Sequence, residues 1–265
     1  MQWAPLAAAF GLGAIIGSFL NVVIHRYPRD ESIVFPPSHC PHCDRAIRPW
    51  DNIPILSYLL LLGRCRDCRQ PISPRYPLVE LANGLFYAAI LQRTGITAAF
   101  PLIAAIVSMT IALIYIDLEI QILPDVIDLP GIILGVAIGA LHLGQEMPMV
   151  LATSLTDSLL GAALGAGILL FIAFAYRLIR NAEGMGYGDV KMLAMIGAVV
   201  GWSPLLPVLF GASVAGAVTG IGMAIARRAN LRFALPFGVF LGLSFLVVLF
   251  FGRTLFVWYL KLLLR

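Results

Sequence analysis

Apolar residues in this chain gather into runs of about twenty. A run of that length, wound as a helix, crosses the hydrocarbon of a bilayer. A helix also pairs every backbone N–H and C=O within itself, as lipid requires. The chain is 60% hydrophobic and only 12% charged, against about 25% charged in a soluble domain. The pattern predicts an all-α polytopic membrane protein with about eight transmembrane helices. They fall at roughly 4–24, 77–92, 98–117, 126–143, 155–176, 190–203, 205–226 and 235–252. The first run lacks a basic leader and holds Asn21, so it is expected to remain as a span and not be cleaved. The tail at 253–265, apolar with basic ends, is expected to lie at the interface.

The polar remainder is concentrated in 25–76. That segment carries Arg26, Arg29, Arg45, Arg48, Arg64, Arg66, Arg69 and Arg75. Basic residues stay on the cytoplasmic side. Placing 25–76 inside leaves Arg177, Arg180, Lys191, Arg227, Arg228 and Arg232 inside as well, and puts 144–154, with Glu146 and no Lys or Arg, outside. The organisation expected is a first helix at 1–24, a cytoplasmic loop domain at 25–76 and a membrane-embedded domain at 77–265. The net charge of +4 is thus a topology signal, with no nucleic-acid partner implied. Glycines four apart, such as Gly13 and Gly17 or Gly161 and Gly165, are expected to let helices approach closely.

All four cysteines lie in the loop, as Cys40-Pro-His-Cys43 and Cys65-Arg-Asp-Cys68, with 21 residues between the pairs. This is the spacing of a four-thiolate zinc site. Two disulfides compete as a reading, but a cytoplasmic loop sits in a reducing compartment. Four thiolates leave no open position for water, so the metal is expected to be structural. His39 and His42 flank the first pair and are expected to be bystanders.

Two acids stand out because each lies at the end of an apolar run. Asp117 closes the third run, within Ile116-Asp117-Leu118-Glu119-Ile120-Gln121-Ile122-Leu123-Pro124-Asp125. Asp189 follows closely spaced glycines in Glu183-Gly184-Met185-Gly186-Tyr187-Gly188-Asp189. The predicted topology puts both on the cytoplasmic side. An acid at a membrane boundary is costly unless it is paired or working. Asp125 rivals Asp117, although it can also simply start the next helix. Glu119 and Asp128 read as solvated loop residues. Glu80, just inside the second span, is expected either to contact a substrate or to pair with an arginine.

Taken in order, these residues resemble the prepilin peptidases. The resemblance rests on Gly17-Ser-Phe-Leu-Asn-Val-Val, the paired C-x-x-C, Asn52-Ile-Pro-Ile-Leu-Ser-Tyr, Arg75-Tyr-Pro-Leu-Val-Glu-Leu, Asp117 through Asp125, and Gly184-Met-Gly-Tyr-Gly-Asp-Val-Lys. One departure falls in Leu235-Pro-Phe-Gly-Val-Phe, where many relatives have a second proline at the position of Val239; it is expected to touch nothing catalytic. The resemblance implies an aspartic endopeptidase of the bacterial inner membrane. It would cut the short basic leader from type IV prepilins or type II secretion pseudopilins after a glycine. It implies Asp117 and Asp189 as the catalytic pair. It also implies N-methylation of the new N-terminus with S-adenosylmethionine, for which the sequence has no glycine-rich dinucleotide fingerprint. Gly186, Gly188 and Glu80 are the expected substrate contacts. Two other classes compete. One is a proton-coupled transporter with Asp117 and Asp189 as a relay; relay acids, however, usually lie near the midplane. The other is a non-catalytic assembly factor, which explains the cysteines but not both acids.

Overall fold

The computed structural model describes residues 3–180, 186–227 and 235–263. It is helical throughout, with two isolated β-bridges and no strand among the described residues. The helices are α1 (Trp3–Arg26), α2 (Leu56–Leu60), α3 (Arg75–Thr94), α4 (Ala99–Ile120), α5 (Asp125–Ala140), α6 (Leu143–Glu146), α7 (Leu155–Arg180), α8 (Tyr187–Val200), α9 (Leu205–Arg227) and α10 (Phe237–Leu263). Each of the eight predicted runs is a helix. Five of them, α1, α4, α7, α9 and α10, are long and apolar enough to cross a membrane. Most of the tail continues α10, which runs without a break to Leu263.

The chain divides into two compact units, Met1–Ala112 and Leu113–Arg265. In the first unit α1 packs along α3 through small residues. A Cβ on Gly13 would lie 2.7 Å from the carbonyl of Asn83, and one on Gly17 would lie 2.7 Å from the Cα of Glu80. Polar side chains pin the same seam. Asn83 donates to the Gly13 carbonyl at 2.7 Å, and Asn21 to the Tyr76 carbonyl at 3.0 Å. Ser108 of α4 donates to Asn83 at 2.9 Å. In lipid such bonds replace water that is not there.

The second unit is built around α8, whose side chains from Met192 to Val200 are all buried. A helix apolar on every face needs neighbours on every face. Here α5, α7 and α10 pack around it. The closest approach is between α7 and α8, where a Cβ on Gly161 would sit 2.1 Å from the Gly197 carbonyl. No other residue fits there without parting the helices. Ser158 of α7 crosses the junction to donate to the Ala198 carbonyl at 2.7 Å. These contacts bear out the packing role expected of the spaced glycines. They also hold the C-terminal end of α8 against α7.

Candidate functional site

Asp117 lies in the last turn of α4, and its side chain is buried. The helix ends because Gln121 adopts a left-handed conformation, φ 55°, with its N–H closing on the Asp117 carbonyl at 2.9 Å. The side chain of Asp117 meets the start of α10. Its Oδ2 accepts the Val239 N–H at 3.0 Å, and the Gly238 N–H points at the same carboxylate. First-turn amides have no partner within their own helix and carry its positive end. Asp117 supplies that partner from a helix 122 positions away in sequence. Gly238 makes the approach possible: a Cβ there would stand 2.9 Å from Asp117 Oδ2 and 3.0 Å from Leu123. The departure at Val239 therefore lies directly against the Asp117 side chain. A proline there would have no N–H to donate.

Asp189 lies in the first turn of α8, partly buried. It is near enough to Asp117 for the Asp117 charge to act on it. Leu123 joins the two halves of the site. A Cβ on Gly188 would be 2.8 Å from the Leu123 Cβ, so one leucine packs on the glycine before Asp189 and on the glycine holding Asp117. Gly186 is different: among the described residues the nearest atom to a Cβ there is the Gly188 nitrogen, at 4.0 Å. Glu183, Gly184 and Met185 lie outside the described residues.

The neighbouring acids separate by environment. Asp125 is exposed and pairs with Lys191, so it is already engaged across α5 and α8. Glu119 is exposed, as expected. Asp128 is not the solvated loop residue read from the sequence. It sits in α5 with 0% exposure, and neither carboxylate oxygen has a hydrogen-bond partner. It lies within electrostatic reach of Asp125, Lys191 and Asp189. In the first unit, Glu80 is buried on α3, where it accepts the Ile55 N–H at 2.7 Å and a hydrogen bond from Ser18. Among these contacts is no arginine.

The two cysteine pairs fold into matching knuckles. Cys40 N–H donates to the Arg45 carbonyl at 3.0 Å and Asp44 N–H to the Cys40 carbonyl at 2.9 Å; Cys65, Gln70 and Arg69 repeat the pattern at 2.9 and 3.0 Å. Asp44 and Arg69 share the left-handed turn, at φ 55° and 60°. Arg45 ties the knuckles together by an ion pair to Asp67 at 2.9 Å. All four Sγ atoms fall within 4.8 Å of one another, with Cys40 and Cys68 at 3.8 Å, and none is in a disulfide. Zinc–sulfur bonds of about 2.3 Å in a tetrahedron put sulfurs about 3.8 Å apart, so the donor set fits a metal such as zinc. The Cys68 amide pointing at Cys65, against some desolvation, draws its thiol down to about 7. Neither His39 nor His42 belongs to the cluster.

The chain is similar to known proteins over most of its length. Residues 12–94 match the bacterial peptidase A24 N-terminal domain, and residues 103–221 match the type IV leader peptidase family. The chain is 39% identical to a prepilin leader peptidase/N-methyltransferase of Burkholderia pseudomallei (strain 1026b), over 95% of this chain and 87% of that one. This chain belongs to the type IV leader peptidase family. Proteins of the same description in Aeromonas hydrophila and Pseudomonas aeruginosa are 36% and 37% identical, over 98% and 91% of this chain and 95% and 88% of theirs. No solved structure matches.

Proposed function

We propose that this chain is a prepilin leader peptidase that uses Asp117 and Asp189 as one aspartic dyad and also methylates the trimmed N-terminus. The observation that carries the reading is the Asp117 carboxylate, buried on the amides of Gly238 and Val239 beside Asp189. Amide hydrolysis by carboxylates needs two of them around one water. One takes the water's proton as oxygen attacks the scissile carbonyl; the other, protonated, donates to that carbonyl oxygen. The proton then passes to the leaving amine as the C–N bond breaks. Two carboxylates held around one water share a proton more readily than both ionise, so acid and base roles belong to the pair. The amides at α10 hold Asp117 in place while the proton moves. Gly186, where no described atom lies closer than 4.0 Å to a Cβ, is where an extended substrate backbone would approach. Glu80, satisfied by Ile55 and Ser18, draws no support as a substrate contact from its own bonds.

In this reading α3, α5 and α8 cross the membrane with the five longer helices, giving eight spans in a bacterial inner membrane. Residues 25–76 form a cytoplasmic domain in which Cys40, Cys43, Cys65 and Cys68 hold a structural zinc. The substrate is a prepilin or pseudopilin with its leader in the cytoplasm. S-adenosylmethionine would supply the methyl group. No strand-to-helix glycine cradle for it exists among the described residues, so the methyl transfer is supported by the relatives' shared name alone. The transporter and assembly-factor readings gain nothing from the family match.

Incubating the purified chain with a prepilin and weighing the product tests both activities. Cleavage after the leader glycine and the added methyl mass appear in one spectrum, and an unchanged substrate would overturn the proposal. Reporter fusions test the topology: Arg48 should give a cytoplasmic signal and Met147 a periplasmic one. The reverse pattern would invert the membrane orientation. Gly238→Ala tests the seat of Asp117. The added methyl has no room at 2.9 Å from Oδ2, and a displacement of about 1 Å at a reacting group can cost about 100-fold. Cleavage should fall by that order with helix content unchanged; full activity would show that the α10 amides do not position the acid.

A further inference from the structure

Within the loop at 25–76, read as polar and cytoplasmic, residues 49–62 do not have a polar surface. The stretch is a 3-10 turn at Pro49–Asn52 followed by α2. Trp50, Ile53, Leu56, Leu59, Leu60 and Leu62 are all exposed, Leu60 by 73% and Leu62 by 84%. Its one charged residue is Asp51, which is engaged by Arg66 at 2.6 and 2.8 Å. A contiguous apolar surface of this kind marks a contact with something apolar.

The depth of the segment says what that contact is. Ile55 donates its N–H to Glu80, and the Cα of Glu80 rests on Gly17 of α1. Asn52 and Pro54 line one cleft together with Ile15, Ser18 and Phe19 of α1. Gly17 lies nine residues before the end of α1 at Arg26, about 13 Å along the helix axis. The segment therefore runs beside the last turns of a membrane-length helix and not beyond its end. Irregular backbone is tolerated at that level only where its polar groups are satisfied by protein. Ile55 is such a place: a β-branched residue at φ 63°, its N–H bonded to the buried Glu80. That bond gives the acid in α3 a reason to exist. Arg48 and Arg64 bracket the stretch, where side chains of this kind meet lipid headgroups.

We propose that residues 49–62 are an interfacial segment, with Leu59, Leu60 and Leu62 in the acyl region of the leaflet and Arg48 and Arg64 among the headgroups. The inference rests on α1 crossing the membrane. Full-length protein carrying the photo-crosslinker p-benzoylphenylalanine at Leu60, Leu62, Ile15 or Ala46 would be irradiated in phosphatidylethanolamine–phosphatidylglycerol vesicles and in native membranes. Lipid adducts would then be read by mass spectrometry. Burying one leucine favours lipid over water by at least about tenfold. Adducts at Leu60 and Leu62 should therefore exceed those at Ala46, on the exposed knuckle, by about that factor and approach those at Ile15. Labelling at Ile15 with none above the Ala46 level at Leu60 and Leu62 would overturn the interfacial segment alone. Adducts to a protein in place of lipid at those positions would overturn it too. Absence of lipid at Ile15 would remove the membrane reading of α1, and the inference with it.

Discussion

Asp117→Asn and Asp189→Asn should each abolish leader cleavage while leaving the protein folded and inserted. Asparagine keeps the size of the side chain and can still accept the Val239 N–H, so the local fold survives. It cannot take the water's proton or share one across the pair. General acid–base catalysis is worth about 10²–10⁴-fold, and the double variant should lose little more than either single one, because the two act as a unit. Asp125→Asn and Glu119→Gln should keep much of the activity: Asp125 is spent on Lys191, and Glu119 is exposed. Asp128→Asn should keep it as well, since the amide replaces a buried carboxylate that has no hydrogen-bond partner. Methylation of an already trimmed pilin should survive the dyad changes if it uses a separate site. Normal cleavage by Asp117→Asn together with loss in Asp125→Asn would show that the wrong acid was chosen.

The second large effect concerns the cysteine cluster. Purified protein should carry about one zinc per chain, and a strong chelator should unfold the knuckles without melting the membrane helices. The reason is the size of the term. Structural zinc contributes about 10–16 kcal/mol of apparent binding energy in zinc-finger peptides, whereas the loop around the cysteines buries little else. Of the four ligands only Cys40 is fully buried. The Arg45–Asp67 pair between the knuckles is exposed, and exposed pairs are worth about 1 kcal/mol or less. Chelation or Cys68→Ser should therefore open 38–47 and 63–72 to proteolysis at Arg45 and Arg69, with far-ultraviolet ellipticity almost unchanged. Metal-free protein whose loop resists the protease would refute a structural metal.

The positions of the helices were legible in the sequence because lipid imposes a strict rule. A backbone without water must satisfy itself, so an apolar run of the right length is a helix wherever it occurs. The runs read at 98–117 and 155–176 emerge as Ala99–Ile120 and Leu155–Arg180. Charged residues do not end such a helix by themselves: neither Arg253 nor Lys261 interrupts helical hydrogen bonding, and α10 continues through both. The knuckles were legible for the opposite reason. Each is closed by bonds within six residues, between Cys40 and Arg45 and between Cys65 and Gln70, so local spacing already contains the geometry.

What the sequence alone determined was the helical membrane class, the four-sulfur cluster and the two acids at the ends of apolar runs. What it could not determine was the company those acids keep. No spacing rule links Asp117 to the amides of Gly238 and Val239, or places Leu123 against both Gly188 and Gly238. Nor does polarity reveal that Asp128 is buried while Asp125, three residues earlier on the same helix, is exposed and paired. Glu80 was expected to meet a substrate or an arginine because an acid inside a span needs a partner; the structure gives it the N–H of Ile55, from the loop at 25–76. These choices belong to the tertiary structure. Burial and hydrogen-bond partners depend on which helix ends the packing of α8 brings together, and that packing is a property of the folded unit, not of any one stretch of chain.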